Sequence, residues 1–297
     1  MIEPRIIRRA DEVDREAELR GLYGPGSEAW ALNREAMLLL GAGPRALLLQ
    51  LAHPQVAAGV GDHSDFRTDP WARLRATLRS YLAIVYGTGS AARAEIRRLN
   101  AFHRTITGPT YRARDPELSL WVHATLVDST IVAADAWLEP LSRLRRRRYY
   151  AETLPIGRAF GIPSELLPAD LEAFETYLEA MLAPDGAIRV GSLARELADV
   201  VIRPPLGPLA PALARIPSSA YAWTLWPAIG LLPPSVRAAY GFRWGPLERA
   251  TAAWLVASWC AWRPWMPRGL RQLPQAQAAD LRIAGQRPES VGTRLPR

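Results

Sequence analysis

Four segments between residues 53 and 129 decide the fold class, and they hold every histidine of the chain. They read HPQVAAGVGDHSDF (53–66), DPWARLRATLRSYLAIVYG (69–87), RRLNAFHRTITG (97–108) and RDPELSLWVHATLVDS (114–129). Asp69-Pro70 and Asp115-Pro116 each combine an N-cap acid with the residue favoured at the first helical position, so both pairs predict helix starts. Because histidine is the commonest metal ligand and the usual acid or base near neutral pH, any reactive centre is expected in this region.

Similar signals along the rest of the chain, without strand-like alternation or hairpin turns, predict an all-α fold. Ser27 is expected to cap a helix that is interrupted near Gly41 to Pro44 and resumes to about Ala52, and GVGDHSDF is expected to be a loop. Residues 218–232 predict a core helix or the wall of an apolar pocket, with a membrane-surface anchor as the alternative. Further helices are expected at 70–86, from Ser90 to about residue 107, at 116–149 with a break near Pro140 left open, and at 170–182, 191–202, 234–240 and 246–262.

We expect one helical domain at residues 25–265, preceded by an N-terminal extension (1–24). A polar C-terminal tail (266–297) is expected to be frayed after Gln272. The composition, with 49% hydrophobic and 22% charged residues, is that of a globular protein.

The net charge is +8, and its positive part is supplied by arginine alone, since all 37 basic residues are Arg and the chain has no Lys. These arginines are dispersed among acids, which argues against a nucleic-acid partner. The one dense run, Arg143 to Arg148, is expected at a helix C-terminus, where cations complement the helix dipole; contact with an anionic lipid surface is the alternative.

A lone cysteine, Cys260, excludes an intramolecular disulfide and a cysteine-based zinc or iron–sulfur site, and it is expected to be a buried structural thiol rather than a haem ligand. The charged N-terminus lacks a signal-like apolar run, and no stretch of about 18 apolar residues predicts a membrane span. Together these features predict a cytoplasmic protein, with peripheral membrane contact left open.

The histidine spacings match no local zinc pattern, and HExxH, ExxH and GxSxG are absent. His63-Ser64-Asp65 imitates half of a two-histidine, one-carboxylate iron site, a type usually built on a β-barrel. For a helical protein the remaining metal chemistry is a non-covalent haem held by one histidine. His103 has the best position for that role, beside Leu99 and Phe102 on a helix, although a hydrogen-bonded core histidine is the alternative.

Arg73 and Thr77 lie four residues apart and therefore share one helix face. A guanidinium and a hydroxyl in a helical pocket could bind a haem propionate or polarise bound dioxygen. An exposed arginine beside a threonine that bonds back to its own helix is the alternative.

The ordered series HPQVAAGV, DHSDF, DPWARLRATL, RRLNAFHRTITG and YRARDPELSLWVHATLVDS resembles the oxygenase MpaB family, also called the DUF2236 domain, which is related to bacterial latex clearing protein. The resemblance covers about residues 25–260. It implies an all-α fold with a globin-like core, a b-type haem, and the use of dioxygen on carbon–carbon double bonds of isoprenoid chains.

The family's proximal histidine falls on His103, and its arginine and threonine near the haem fall on Arg73 and Thr77. Latex clearing protein has a lysine immediately before that threonine as a distal ligand, whereas this chain has Ala76. The resemblance therefore implies a distal iron position that is open, water-bound or held by another group. His63 is a candidate for the distal face. His123 is a candidate for contact with the haem edge or for stabilising the core, and His53 is expected to hydrogen-bond at a helix end.

The function expected from the resemblance is a haem b-dependent oxygenase acting with dioxygen on an apolar, terpenoid or lipid-like substrate. His103 would be the metal ligand, Arg73, Thr77 and His63 would be catalytic, and His123 would help bind the cofactor. Two rivals stay open: a haem enzyme of another class, such as a peroxidase-like enzyme, and a non-enzymatic protein that binds haem or an apolar ligand.

Overall fold

The computed structural model describes residues 14–63, 68–204 and 218–285, and the regular structure within these ranges is helical, which confirms the all-α prediction. Residues 14–20 form a helix near the start of the first range. The helices that follow are α1 Glu28–Asn33, α2 Ala36–Leu51, α3 Pro54–His63, α4 Pro70–Tyr86, α5 Gly89–Thr105, α6 Pro116–Trp137, α7 Arg143–Ala159, α8 Leu171–Leu182, α9 Ser192–Ile202, α10 Ser218–Gly230, α11 Pro234–Tyr240, α12 Pro246–Trp262, α13 Arg268–Arg271 and α14 Pro274–Ala284, with a 3₁₀ turn at Arg263–Trp265.

The core is organised around α2 and α6, which pack against each other more extensively than any other pair of described helices. Both are apolar on most sides, as expected for helices surrounded by others. Gly41 of α2 lies against Trp137 of α6, where a Cβ atom would come within 3.2 Å of the indole ring. At the other end of α2, the Trp121 indole N–H donates to the Leu49 carbonyl at 3.2 Å. This central pair positions the helices around it.

Local capping fixes most helix starts as predicted. Asp69 accepts a hydrogen bond from the Ala72 N–H at 2.8 Å, and Asp115 accepts one from the Glu117 N–H at 2.9 Å. Ser27 caps α1 by accepting from the Trp30 N–H at 3.0 Å. α5 begins one residue before the predicted start at Ser90, because Thr88 is its N-cap.

Two predicted boundaries in the first part of the chain are wrong. The interruption expected near Gly41 to Pro44 falls instead at Arg34 and Glu35, between α1 and α2, and Pro44 lies inside α2. Proline removes one helical hydrogen bond; extensive packing of α2 on α6 nevertheless holds it in a single helix. The segment GVGDHSDF, predicted to be a loop, is helical up to His63, where α3 ends. Residues 64–67 lie outside the described ranges.

The predicted helix 116–149 has the break near Pro140 that the prediction left open, and the arginine run lies at the start of the second helix. α6 ends at Trp137, and Ser142 caps α7 by accepting from the Arg145 N–H at 3.3 Å. The interpretation of the run as a helix C-terminus is therefore wrong. At an N-terminus these cations oppose the dipole; Glu172 offsets that cost by pairing with Arg143 at 2.9 Å and with Arg147.

The C-terminal region also differs from the prediction. Residues 274–284 form α14 and do not fray: Ala276 and Ala279 are fully buried against the cluster of Trp30 and Tyr86. Cys260 is exposed and not buried, although its Sγ lies 3.6 Å from the Trp137 carbonyl oxygen.

Within α10, Leu225, Ala228 and Ile229 are buried, as expected for a core helix. Residues 205–217 and the side chains of 218–221 lie outside the described part. No single helix in the described ranges is both long and apolar enough to cross a bilayer; α2 and α3 reach that length only together and meet at a bend of 101°.

Candidate functional site

His103 lies in the last turn of α5 and is partly buried. No hydrogen bond joins its ring to another described residue. Burial lowers the pKa of His103, and the guanidinium groups of Arg73, Arg114 and Arg98 lower it further. The imidazole is therefore neutral near pH 7 and keeps a nitrogen lone pair, which is the form that ligates a metal.

The structure brings Arg73 into the electrostatic environment of His103, across the α4–α5 pair. Thr77, one turn further along α4, donates its hydroxyl hydrogen to the Arg73 carbonyl at 3.0 Å. Both side chains are exposed. Without a cofactor, the pair therefore has the geometry of the alternative interpretation, an exposed arginine beside a threonine bonded back to its helix.

His63 is exposed at the end of α3 and contacts the loop between α5 and α6. Its Nε2 lies 3.0 Å from the Thr107 carbonyl oxygen, and its ring meets Tyr111 edge-on at a centroid distance of 6.1 Å. The loop is closed by a hydrogen bond from the Gly108 N–H to the Tyr111 carbonyl at 2.9 Å. His63 is thus tied to the segment that follows the His103 helix, and its catalytic role stays a prediction.

His123 and His53 each have a buried ring nitrogen without a hydrogen-bond partner among the described residues. For His123 the atom is Nε2, and burial lowers its pKa to about 4. His123 Nε2 faces Gly157 of α7, and a Cβ atom added to Gly157 would lie 3.5 Å from this nitrogen. For His53 the atom is Nδ1. The expected hydrogen bonding of His53 at a helix end is made by its backbone, whose N–H donates to the Gln50 carbonyl at 3.1 Å and whose carbonyl accepts from the Ala57 N–H at 3.0 Å. Burial lowers the pKa of His53 too, although the Asp115 carboxylate opposes that shift.

Sequence reasoning missed three residues near His103. Arg98 and Arg114 act on its pKa, and Arg98 also pairs with Glu95 at 2.6 Å. Asn100 lies three residues before His103, hence on a similar helix face. Its amide donates to the Ala159 carbonyl at 2.8 Å, while its Oδ1 is buried without a partner in the described part of the chain. The spacing of three could have indicated Asn100, but nothing in the sequence pointed to Arg114.

These residues fit a haem in two respects. First, a neutral, partly buried imidazole suits an iron ligand, and the guanidinium groups near it suit the carboxylates of a haem. In addition, the Asn100 Oδ1, on the turn before His103, is a buried acceptor without a partner in the described part of the chain. The ranges described contain no group of three or more His, Cys, Asp or Glu arranged to hold a metal ion by themselves. Asp65, part of the His63-Ser64-Asp65 pattern, lies outside those ranges.

Two open surface grooves lie elsewhere. One, of about 390 Å³, is lined by residues of α7 and α8 around Tyr150. The other, of about 470 Å³, lies between α10 and α12 and includes Trp244 and Val256. No predicted site residue lines either groove, so neither is assigned to the site around His103.

Residues 30–262 match the family model described as "ER-bound oxygenase mpaB/B'/Rubber oxygenase, catalytic domain". The chain belongs to this family. The membership confirms the resemblance identified from the ordered histidine-bearing motifs and supports an oxygenase-type function. It does not test the individual site residues, which stay predictions.

Two similar curated proteins come from mycobacteria, one from Mycobacterium bovis and one from Mycobacterium tuberculosis. Each is 29% identical over 226 residues, covering 71% of this chain and 83% of the relative, and each is described as uncharacterized. No solved structure matches the chain. The globin-like character of the core therefore stays a prediction.

Proposed function

We propose that this protein is a haem b-dependent oxygenase that uses dioxygen on an apolar, terpenoid or lipid-like substrate, with cleavage of a carbon–carbon double bond as the reaction class. The observation that carries the proposal is that His103, the iron ligand implied by the resemblance, has a pKa lowered by burial and by the guanidinium groups of Arg73 and Arg114. The substrate class rests on the family, whose description includes a rubber oxygenase.

In this proposal His103 provides the nitrogen that holds the iron. The lowered pKa of His103 serves this role, because proton competition for the nitrogen lone pair is weak at neutral pH. When bound, the haem supplies the activation of dioxygen, while the protein supplies binding, orientation and polarity.

Arg73 and Arg114 are assigned to the carboxylates of the cofactor. Guanidinium groups bind carboxylates in a bidentate manner, and these two lie close enough to His103 to affect its protonation. Both would then act in positioning the cofactor.

Thr77 is assigned to the polar side of the oxygen-binding region. Its hydroxyl hydrogen is given to the Arg73 carbonyl, so Thr77 can accept a hydrogen bond at once but can donate one elsewhere only by rotating away. Ala76 carries no ionisable group, and the chain has no lysine that could replace the distal ligand of latex clearing protein.

Absorption spectra of the oxidised and reduced protein, purified and supplemented with haem, test the proposed ligand. We expect a Soret band that His103→Ala loses or shifts and that His63→Ala, which removes an exposed imidazole, retains. His103→Gly supplemented with free imidazole separates ligation from misfolding, since restored ligation should restore the spectrum. A spectrum that stays the same in His103→Ala would contradict the assignment.

The reaction class is tested separately, with isoprenoid alkenes and either dioxygen or hydrogen peroxide as oxidant. Carbonyl products that incorporate labelled dioxygen support the oxygenase. Turnover with peroxide alone would favour a peroxidase-like enzyme, and tight haem binding without turnover under either oxidant would favour a binding protein.

A further inference from the structure

The C-terminal part of the chain exposes an unusual concentration of tryptophan. Trp254, Trp262 and Trp265 are 66%, 68% and 82% exposed, and Leu247 and Leu270 are exposed as well. Soluble domains bury most of each tryptophan, because the indole is the largest apolar side chain. We call these five residues the tryptophan face.

The helical part of this face is a stripe along one side of α12. Leu247, Trp254 and Trp262 recur at intervals of seven and eight residues, which places them on one side of a helix with 3.6 residues per turn. The opposite side is the packed one: Ala252 is buried, and Cys260 Sγ lies 3.6 Å from the Trp137 carbonyl oxygen of α6. The stripe therefore points away from the protein body, and the 3₁₀ turn and α13 extend it.

Most of the charges along this face are positive, apart from the buried Glu248 beside Leu247 at the start of α12. From Arg249 to Ala279 the chain has four arginines and no aspartate or glutamate. Arg263 is paired with Glu35 at 3.3 Å, whereas Arg268, next to Trp265, pairs with no carboxylate among the described residues. The arginine run of α7 is different, because Glu172, Glu175, Glu28 and Asp135 pair with most of it.

We propose that the tryptophan face docks on the surface of an anionic lipid bilayer. Tryptophan favours the boundary between headgroups and acyl chains, and unpaired arginine beside it is attracted to anionic headgroups. A second copy of this chain fits less well, since a symmetric contact would bring arginine-bearing segments without acids against one another. This proposal places the membrane contact on α12 and α13 rather than on the α7 arginine run or the 218–232 helix, the two alternatives that the sequence left open.

None of the five residues of the tryptophan face is assigned to the haem site, so the proposal is independent of the proposed function, and on α6 the contact with α12 is separated from His123. α12 meets α6 at Trp137, whereas His123, which faces α7, is fourteen residues earlier on that helix. At 1.5 Å per residue this separation is about 21 Å. Substitutions on the face should therefore leave haem binding unchanged.

Co-sedimentation of the full chain with vesicles tests the proposal. We expect binding to phosphatidylcholine vesicles that contain about 30% phosphatidylserine, and much weaker binding to pure phosphatidylcholine or at high salt. The triple variant Trp254→Ser, Trp262→Ser, Trp265→Ser should lower partitioning by at least about ten-fold. Arg268→Gln should lower it by about five-fold.

The matched controls are Leu144→Ser and Arg147→Gln on α7, which remove an exposed apolar side chain and an exposed but paired arginine. Both should bind vesicles like the wild type, and circular dichroism should show unchanged helicity in every variant. Failure of the folded wild type to bind anionic vesicles would overturn the proposal, as would equal binding to neutral ones. A dimer in sedimentation velocity that only the tryptophan variant dissociates would assign the face to a second copy instead.

Discussion

At the scale of single residues, His123 combines burial with an unsatisfied nitrogen. An imidazole without a partner is costly to protonate inside a protein, which explains the lowering of its pKa to about 4. An unpaired polar atom in a native interior usually marks a group that meets something else, such as a water, a ligand or a cofactor edge. Haem contact by His123 stays a prediction, but its protonation has a consequence for stability.

The folded protein should lose stability in mild acid through His123. In the unfolded chain this histidine binds a proton near its ordinary pKa of about 6.5, whereas the folded protein resists protonation down to about pH 4. The unfolded state therefore binds more protons in this window, so the contribution of His123 is fully present above about pH 6.5 and is lost as the pH falls toward 4. Between pH 7 and pH 5 the loss from this residue is roughly 2 kcal/mol.

Urea unfolding at both pH values checks this expectation. His123→Gln should reduce the pH-dependent loss by that amount. His53 and His103, whose pKa values burial also lowers, should retain part of the effect in this variant. Identical pH dependence in wild type and His123→Gln would show that His123 is solvated or paired in solution.

At the scale of helices, the N-caps of α4 and α8 offer a matched pair. Asp69 and Asp170 each accept a hydrogen bond of 2.8 Å from the N–H three residues ahead. Loss of such a cap costs about 1 kcal/mol, so Asp69→Ala and Asp170→Ala should lower the free energy of unfolding by similar amounts. Only the first turn of α4 carries Arg73, so only Asp69→Ala should also weaken haem binding. Urea unfolding and haem titration measure the two effects, and equal haem affinity in both variants would argue against Arg73 as a cofactor contact.

The same helices show how much could be predicted from sequence. Asp69-Pro70, Asp115-Pro116 and Asp170 act on their own first turns, so their helix starts were predicted correctly. The Arg143 run was misplaced because Glu172, its stabilising partner, lies 29 residues away, although Ser142 was an available local signal. Pro44 predicts a helix break from sequence alone, whereas the packing that holds α2 together, with Trp137 of α6 against Gly41, is visible only in three dimensions. The order of motifs along the chain predicts His103 as the candidate ligand, whereas the nearby Arg98 and Arg114 are found only from the fold.

At the scale of the whole molecule, one buried ion pair connects three parts of the core. Arg45 of α2 pairs with Asp128 of α6 at 2.7 Å and donates to the Ser129 hydroxyl at 2.8 Å. Its Nε also donates to the Leu231 carbonyl after α10, at 2.8 Å. Arg45 is 4% exposed, so its charge relies on these partners rather than on water. Since α2 and α6 form the central pair, loss of this ion pair should lower the free energy of unfolding of the whole protein.

Asp128→Ala should destabilise the protein by about 3 to 5 kcal/mol, because it leaves a buried guanidinium without its counter-ion. The double variant Arg45→Met, Asp128→Leu removes both charges and replaces them with apolar volume, so it should be less destabilised than Asp128→Ala alone. The control is Asp199→Ala, which breaks the exposed pair with Arg203 on α9 and should cost less than about 1 kcal/mol. Urea unfolding measures all three. If the double variant were no more stable than Asp128→Ala, the cost would lie in lost packing between α2 and α6 rather than in the stranded charge.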